Sequence, residues 1–256
     1  MTDSRFIPFK NADCLPFLPE KLNNPFGANA PEVCLEAAKD LKTFILANQQ
    51  NWSHNFGFTP GKSGKVKGKM FGVLVVKTAE GSLGYLSTFS GKLDGGQYPG
   101  RFVPALFDIT QEDNFLDIGM TELSKIGEEI AKLTIENTAQ SKAEILALKD
   151  KRKNKSTNLQ NQLFDQYHFL NLSGEKKSLI SIFEEYTQRK PAGGAGECAA
   201  PKLLHYAFEN KMKPLAIAEF WWGKSTIYKD KVHGDFYPAC EDKCKPILSY
   251  MLKNNF

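Results

Sequence analysis

Residues Lys69–Gly91 read KMFGVLVVKTAEGSLGYLSTFSG. Two runs rich in β-branched and aromatic residues flank TAEGS, a connection of hairpin length. The reading is an antiparallel pair, Lys69–Lys77 with Leu83–Ser90. Upstream, APEVCLEAAKDLKTFILANQQ (Ala30–Gln50) reads as a helix. Pro31 sits where a first-turn proline is tolerated, and Val33, Leu35, Ala37, Leu41, Phe44 and Ile45 fall mostly on one face. The first thirty residues, rich in Pro, Asn and Phe, read as an extended wrapping segment. Downstream, LDGGQYPGRFVPALFDI (Leu93–Ile109) is irregular chain with many turn residues.

From about Glu112 the pattern changes. Leu123, Ile126, Ile130 and Leu133 recur at alternating three- and four-residue spacing, which predicts a helix. A second helix continues through SKAEILALKDKRKNKSTNLQNQLFDQY, and the two pack as a projecting arm. The basic run Lys149, Lys151, Arg152, Lys153 and Lys155 is expected near their junction. QRKPAGGAG (Gln188–Gly196) is a Gly/Pro loop leading to a helix that starts near Glu197. KPLAIAEFWW (Lys213–Trp222) is a strongly apolar strand, and CEDKCKPILSYML (Cys240–Leu252) opens a last helix. The expected class is therefore α/β (α+β), a small mixed sheet flanked by helices. One domain spans 1–256, with its core at about 26–110 and 165–256 and the helical arm inserted at about 112–164.

Bulk properties narrow the function classes. The composition, 41% hydrophobic and 24% charged, is that of a soluble globular protein. A net charge of +4 is too mild to indicate nucleic acid by itself. Its distribution says more: Lys62, Lys65, Lys67 and Lys69 crowd one stretch, and the run at 149–155 another, a pattern that phosphate-facing patches and solvated loops share. The N-terminus lacks the apolar run of a secretory signal. No stretch approaches eighteen apolar residues, so no membrane span is expected. Five cysteines, an odd number with no export signal, suit a reducing compartment, and the expected location is the cytoplasm.

Gly61-Lys62-Ser63 and Gly223-Lys224-Ser225 do not complete a phosphate-binding loop. Gly57 is one residue too close to the first, and Ala218 stands where the second needs glycine. There is no Gly-x-Ser-x-Gly and no His-Glu-x-x-His, and His54, His168, His205 and His233 are scattered. The cysteines carry more. Cys240 and Cys244 are four apart, so on a helix their thiolates share a face and can reach one ion. Pro238 just before them suits a helix start, where backbone amides favour thiolate over thiol. Cys198, near the start of another helix, supplies a third ligand for a possible zinc ion, and Glu197 beside it is a candidate proton shuttle. Cys34, inside the first helix, reads as a packing residue. Alternation at the end of the apolar strand sends one of Trp221 and Trp222 outward, beside Lys224, Lys229 and Lys231, where it can stack on an RNA base or lie as a lid over the sheet edge. The RNA-contacting set is then Lys62, Lys65, Lys67, Lys69, Lys151, Arg152, Lys153, Trp222 and Lys224.

Two resemblances follow. The order helix, hairpin, helix, strand, helix, with cysteines at two helix starts, resembles the zinc nucleobase deaminases and implies a three-layer core holding zinc. Two departures stand out: Glu-Cys replaces the ligand-x-Glu order, and Cys-x-x-x-Cys replaces Cys-x-x-Cys. Adjacent helical residues point roughly 100° apart, so Glu197 and Cys198 need not aim at one water. More extensively, GKMFGVLVVKTAEGSLGYLSTFSGKL, RFVPALFD, LFDQYHFLN, GEKKSL, AGECAAPKLLHYA, PLAIAEFWWGKS and HGDFYPACEDKCKPIL together resemble the N-terminal region of large RluA-type RNA pseudouridine synthases, over about Phe26 to Leu252. That resemblance implies an accessory domain that positions ribosomal or transfer RNA for a synthase catalytic domain. It does not carry the catalysis over, because no histidine here begins the family's His-Arg-Leu-Asp motif. PILSYMLKNNF falls about where that family enters its catalytic half. Three functions are therefore expected in turn: the RNA-positioning domain, a divergent deaminase-like zinc enzyme, or a structural domain that packs on a partner or forms a homodimer through the arm.

Overall fold

The hairpin forms in the expected register: β2 (Lys69–Lys77) pairs antiparallel with β3 (Leu83–Phe89), Phe71 opposite Phe89 and Lys77 opposite Leu83. The computed structural model describes residues 4–10, 15, 18–94, 99–107, 115–225, 230–253 and 255. Cys14, Lys229 and the expected start of the arm at 112 lie outside them. The described chain falls into two compact units, Met1–Leu106 with His168–Phe256, and Phe107–Tyr167.

In the first unit, β6 (Lys213–Trp222) joins β2 antiparallel, with Gly72 opposite Glu219. Two-residue strands end the sheet: β1 (Ile7–Pro8) beside β3 and β7 (Phe236–Tyr237) beside β6, giving the order β1-β3-β2-β6-β7. A mixed sheet was the expectation, yet every pairing of named strands in it is antiparallel. The physical reason is connectivity: β3 returns through a hairpin, and the chain re-enters on the far side of β2 running against it. The class is α+β.

Both faces of this sheet are covered. Phe71, Val73 and Val75 share a core with Val33, Ala37, Leu41 and Ile45 of α1 (Glu32–Asn48). Gly72, pointing the other way, meets α5 (Ala199–Glu209): a Cβ there would lie 3.0 Å from both Ala199 Cβ and Leu203 Cδ1. Glycine lets the start of α5 approach the strand. With helices on both sides, Val73, Leu74, Val75 and Val76 are all fully buried. Each such side chain contributes about 1.5–3 kcal/mol. That explains why the strand reads as a continuous apolar run rather than an alternation.

The edge beyond β6 is sealed by the N-terminal segment, which wraps as expected. Asn23 acts there like a strand residue: its Nδ2 donates to Ile217 O (3.1 Å), and its Oδ1 accepts from Ile217 N–H (2.8 Å). Ala239 N–H donates to Pro25 O at 2.9 Å. A small second sheet, β4 (His168–Leu170) with β5 (Lys176–Ser178), leads into α4 (Leu179–Thr187), and α6 (Cys244–Met251) ends the regular structure.

The second unit contains α2 (Phe115–Glu136) and α3 (Ala139–Asp165). They pack closely at Gly119, where a Cβ would fall 2.6 Å from Leu159 Cδ1. The turn between them ends in a capping box: Thr138 Oγ1 accepts from Ser141 N–H (3.0 Å), and Ser141 Oγ accepts from Thr138 N–H (2.8 Å). Thr138→Ala is therefore expected to cost about 1 kcal/mol, read as a lower urea midpoint at unchanged slope. The basic run sits not at this junction but about three turns into α3. Lys151, Arg152 and Lys153 are exposed there, and Lys155 pairs with Glu122. No helix among the described residues is long and apolar enough to cross a membrane.

Candidate metal centre

Three sulfurs meet at two helix starts. Cys198 is the N-cap of α5, in extended conformation (φ −73°, ψ 155°), reached through Gly194 and Gly196, both at positive φ. Cys244 is the first residue of α6. Cys240 lies in the turn before that helix rather than on it, which corrects the expected shared helical face. The turn winds tightly enough that four-residue spacing still brings Cys240 Sγ to 3.3 Å from Cys244 Sγ. All three sulfurs lie within 4.8 Å of one another. A tetrahedral ion about 2.3 Å from each sulfur needs them roughly 3.8 Å apart, so the cluster is already near binding geometry. These three cysteines can hold a metal ion. No histidine, aspartate or glutamate among the described residues joins the cluster.

The sulfurs share their protons. Cys240 is driven well below the usual thiol range by hydrogen bonds from Cys198 and Cys244, against a smaller burial cost, with the N–H groups of Lys243 and Cys244 adding to the effect. Cys198 is pushed up, first by its hydrogen bond to Cys240, and Cys244 by its bonds to both other thiols and by burial. One thiolate held by two thiols is the expected state of such a coupled set without a cation. A divalent ion would remove the repulsion that keeps the other two protonated.

Two charged residues that the sequence reading passed over flank this cluster. Lys202, on α5, is almost wholly buried, and its Nζ donates to Phe89 O and, at 3.5 Å, to Gly91 O. Burial pushes its pKa down to about 8, while Glu197, Cys198 and Glu219 oppose that shift. Glu219, on β6, is 6% exposed and accepts from Ala200 N–H through Oε1 at 3.0 Å. Burial raises its pKa to about 7. The signal was present in the sequence as a lone charge inside each of two apolar runs, AAPKLL and LAIAEFWW. Glu197, the candidate proton shuttle, lies where its charge acts on Lys202 and Lys69, outside the sulfur cluster. Cys34 is fully buried in the α1 core, a packing residue.

The expected RNA contacts separate into two groups. Trp222 is 2% exposed, and its Nε1 donates to Gln49 Oε1, so it is the core tryptophan. Trp221 is the more exposed of the pair, its ring lying over Gly68. Lys62 turns inward, its ammonium donating to Gln49 O (3.0 Å), Gln50 O (3.3 Å) and Trp52 O. Lys69 is partly buried, and burial lowers its pKa. Lys67 is exposed and pairs with Asp94 at 3.5 Å. Lys65 and Lys224 are exposed. Their two loops touch, because Lys224 N–H donates to Phe56 O (2.9 Å) and Lys67 N–H to Asn55 O (2.9 Å).

No family model matches the chain, and neither a curated protein nor a solved structure is similar to it.

Proposed function

We propose that this chain is an accessory domain of an RluA-type RNA pseudouridine synthase, built on a deaminase-like core whose three cysteines hold zinc. The observation that supports it is convergence. GKMFGVLVVK supplies β2, AGECAAPKLL begins α5, PLAIAEFWW supplies β6 and YPACEDKCKPIL begins α6; β2 pairs with β6 and meets α5 at Gly72, and the second and fourth of these stretches bring the three sulfurs together. The path α1, β2–β3, α5, β6, α6, with β2 central and ligands at the starts of α5 and α6, is the arrangement expected of a deaminase-like core. Zinc is the ion that three thiolates in tetrahedral spacing favour, and as a Lewis acid it supplies polarisation of whatever occupies its remaining position.

In this reading RNA lies on the loops around Lys65, Lys67 and Lys224, with Trp221 in place of Trp222 as the stacking ring. The exposed Lys151, Arg152 and Lys153 of α3 provide a second patch. Binding of a structured RNA, followed by fluorescence anisotropy, should weaken linearly in log affinity against log salt. Each phosphate contacted on a single strand contributes a slope of roughly −0.7. Lys65→Glu with Lys224→Glu, which removes two contacts, is expected to flatten that slope by about 1.4 units. Undetectable binding at low salt, or an unchanged slope in the variant, contradicts an RNA-gripping role.

A further inference from the structure

Glu219 sits where a carboxylate is costly. Its neighbours on β6 are apolar, and its side chain is nine-tenths buried. Oε1 takes the Ala200 N–H, and among the described residues no other hydrogen bond reaches this carboxylate. The group instead lines a small cavity with Asn23, Ala200, Tyr237 and Ala239, which leaves room for about one water.

Residues close in sequence to two of the cysteines wall that cavity. Ala200 is two residues past Cys198, and Ala239 immediately precedes Cys240. Glu219 Oε1 holds the N–H of Ala200 at 3.0 Å, in the first turn of α5, whose N-cap is Cys198. Three protein ligands leave a tetrahedral ion one position short, and a centre of that kind is open rather than closed. We propose that Glu219 is the positioning carboxylate of this centre, facing the fourth coordination position and accepting a hydrogen bond from the small protic ligand, water or an amine, held there. The proposal rests on the zinc reading above. Lys202 on α5 and Lys231 supply opposing positive charge from the elements around it.

Cobalt(II) in place of zinc separates the two ideas. Native protein loaded with cobalt should show a thiolate-to-cobalt charge-transfer band and four-coordinate d–d bands. Glu219→Gln preserves volume and can still accept from Ala200 N–H. It should keep the charge-transfer band, shift the d–d maxima and hold cobalt about ten-fold more weakly, as loss of a partner outside the ligand set does. Ile45→Val, a core change on the α1 face of the sheet, should leave both readouts alone. Where Glu219→Gln does not fold, Glu219→Met removes the same charge without burying an amide and carries the same expectation. Identical d–d bands and identical affinity in the folded variant overturn the role of Glu219. Absence of the charge-transfer band from the native protein instead overturns the zinc reading itself.

Discussion

Protein purified without chelator is expected to carry about one zinc per chain, and stripping that ion or making Cys244→Ala is expected to lower the melting temperature by roughly 10 °C. The size follows from linkage: an ion present at a thousand times its dissociation constant stabilises the state that binds it by about 4 kcal/mol. For a chain of this length each kcal/mol shifts the midpoint by about 2–4 °C. Cys244 is the buried member of the cluster, so its loss removes a ligand and a packed side chain together. Cys34→Ala distinguishes the effects: it empties a core position outside the sulfur cluster, so it should lower stability with zinc content unchanged. Calorimetry with and without chelator, alongside elemental analysis, reads all three proteins. Equal melting temperatures with and without chelator would contradict the account.

The second large effect is expected at Lys202. Its ammonium is enclosed between the carbonyls of Phe89 and Gly91, with the charges of Glu197 and Glu219 acting on it. Lys202→Met leaves those carboxylates without their buried cation, and removing one member of such a set costs about 3–5 kcal/mol. Adding Glu197→Gln to Lys202→Met should recover part of the loss, a coupling that a simple packing defect would not produce. The pH dependence has a definite sign. Burial holds the folded pKa near 8, below the 10.5 usual for lysine, so between those values the unfolded chain binds the extra proton. Lys202 should therefore add stability to the metal-free protein as pH climbs from about 8 toward 10.5, while the buried thiols of Cys34, Cys198 and Cys244, held above the usual thiol range, act in the opposite sense above about 9. The stability difference between native protein and Lys202→Met should accordingly shift toward the native protein over that range. Denaturant titrations across that range give the answer, and an identical slope in both proteins would remove the assigned role.

Local chemistry made much of the fold legible. The β2–β3 hairpin was readable because its turn and its β-branched runs agree, and β6 because ten residues in succession suit a covered strand. Other features depended on tertiary context. Alternation sends Trp221 and Trp222 to opposite faces, but with α1 and α5 covering both sides of the sheet, no local pattern says which face closes over its tryptophan. Lys62 looked like a surface charge, and only the carbonyls of Gln49, Gln50 and Trp52 at the end of α1 turn it inward. At the centre, cysteine spacing found the sulfurs. Glu219 stayed hidden because its partner, Ala200 N–H, is a backbone group nineteen residues away. A lone carboxylate in an apolar strand was the available signal, and it called for an explanation of its burial.

X-ray absorption at the zinc edge tests the central claim most directly, because it counts the sulfurs around the ion. The account predicts three sulfur scatterers at about 2.3 Å and one lighter atom, falling to two sulfurs in Cys198→Ala. A zinc shell made only of nitrogen and oxygen, or native protein that takes up no zinc, would contradict it.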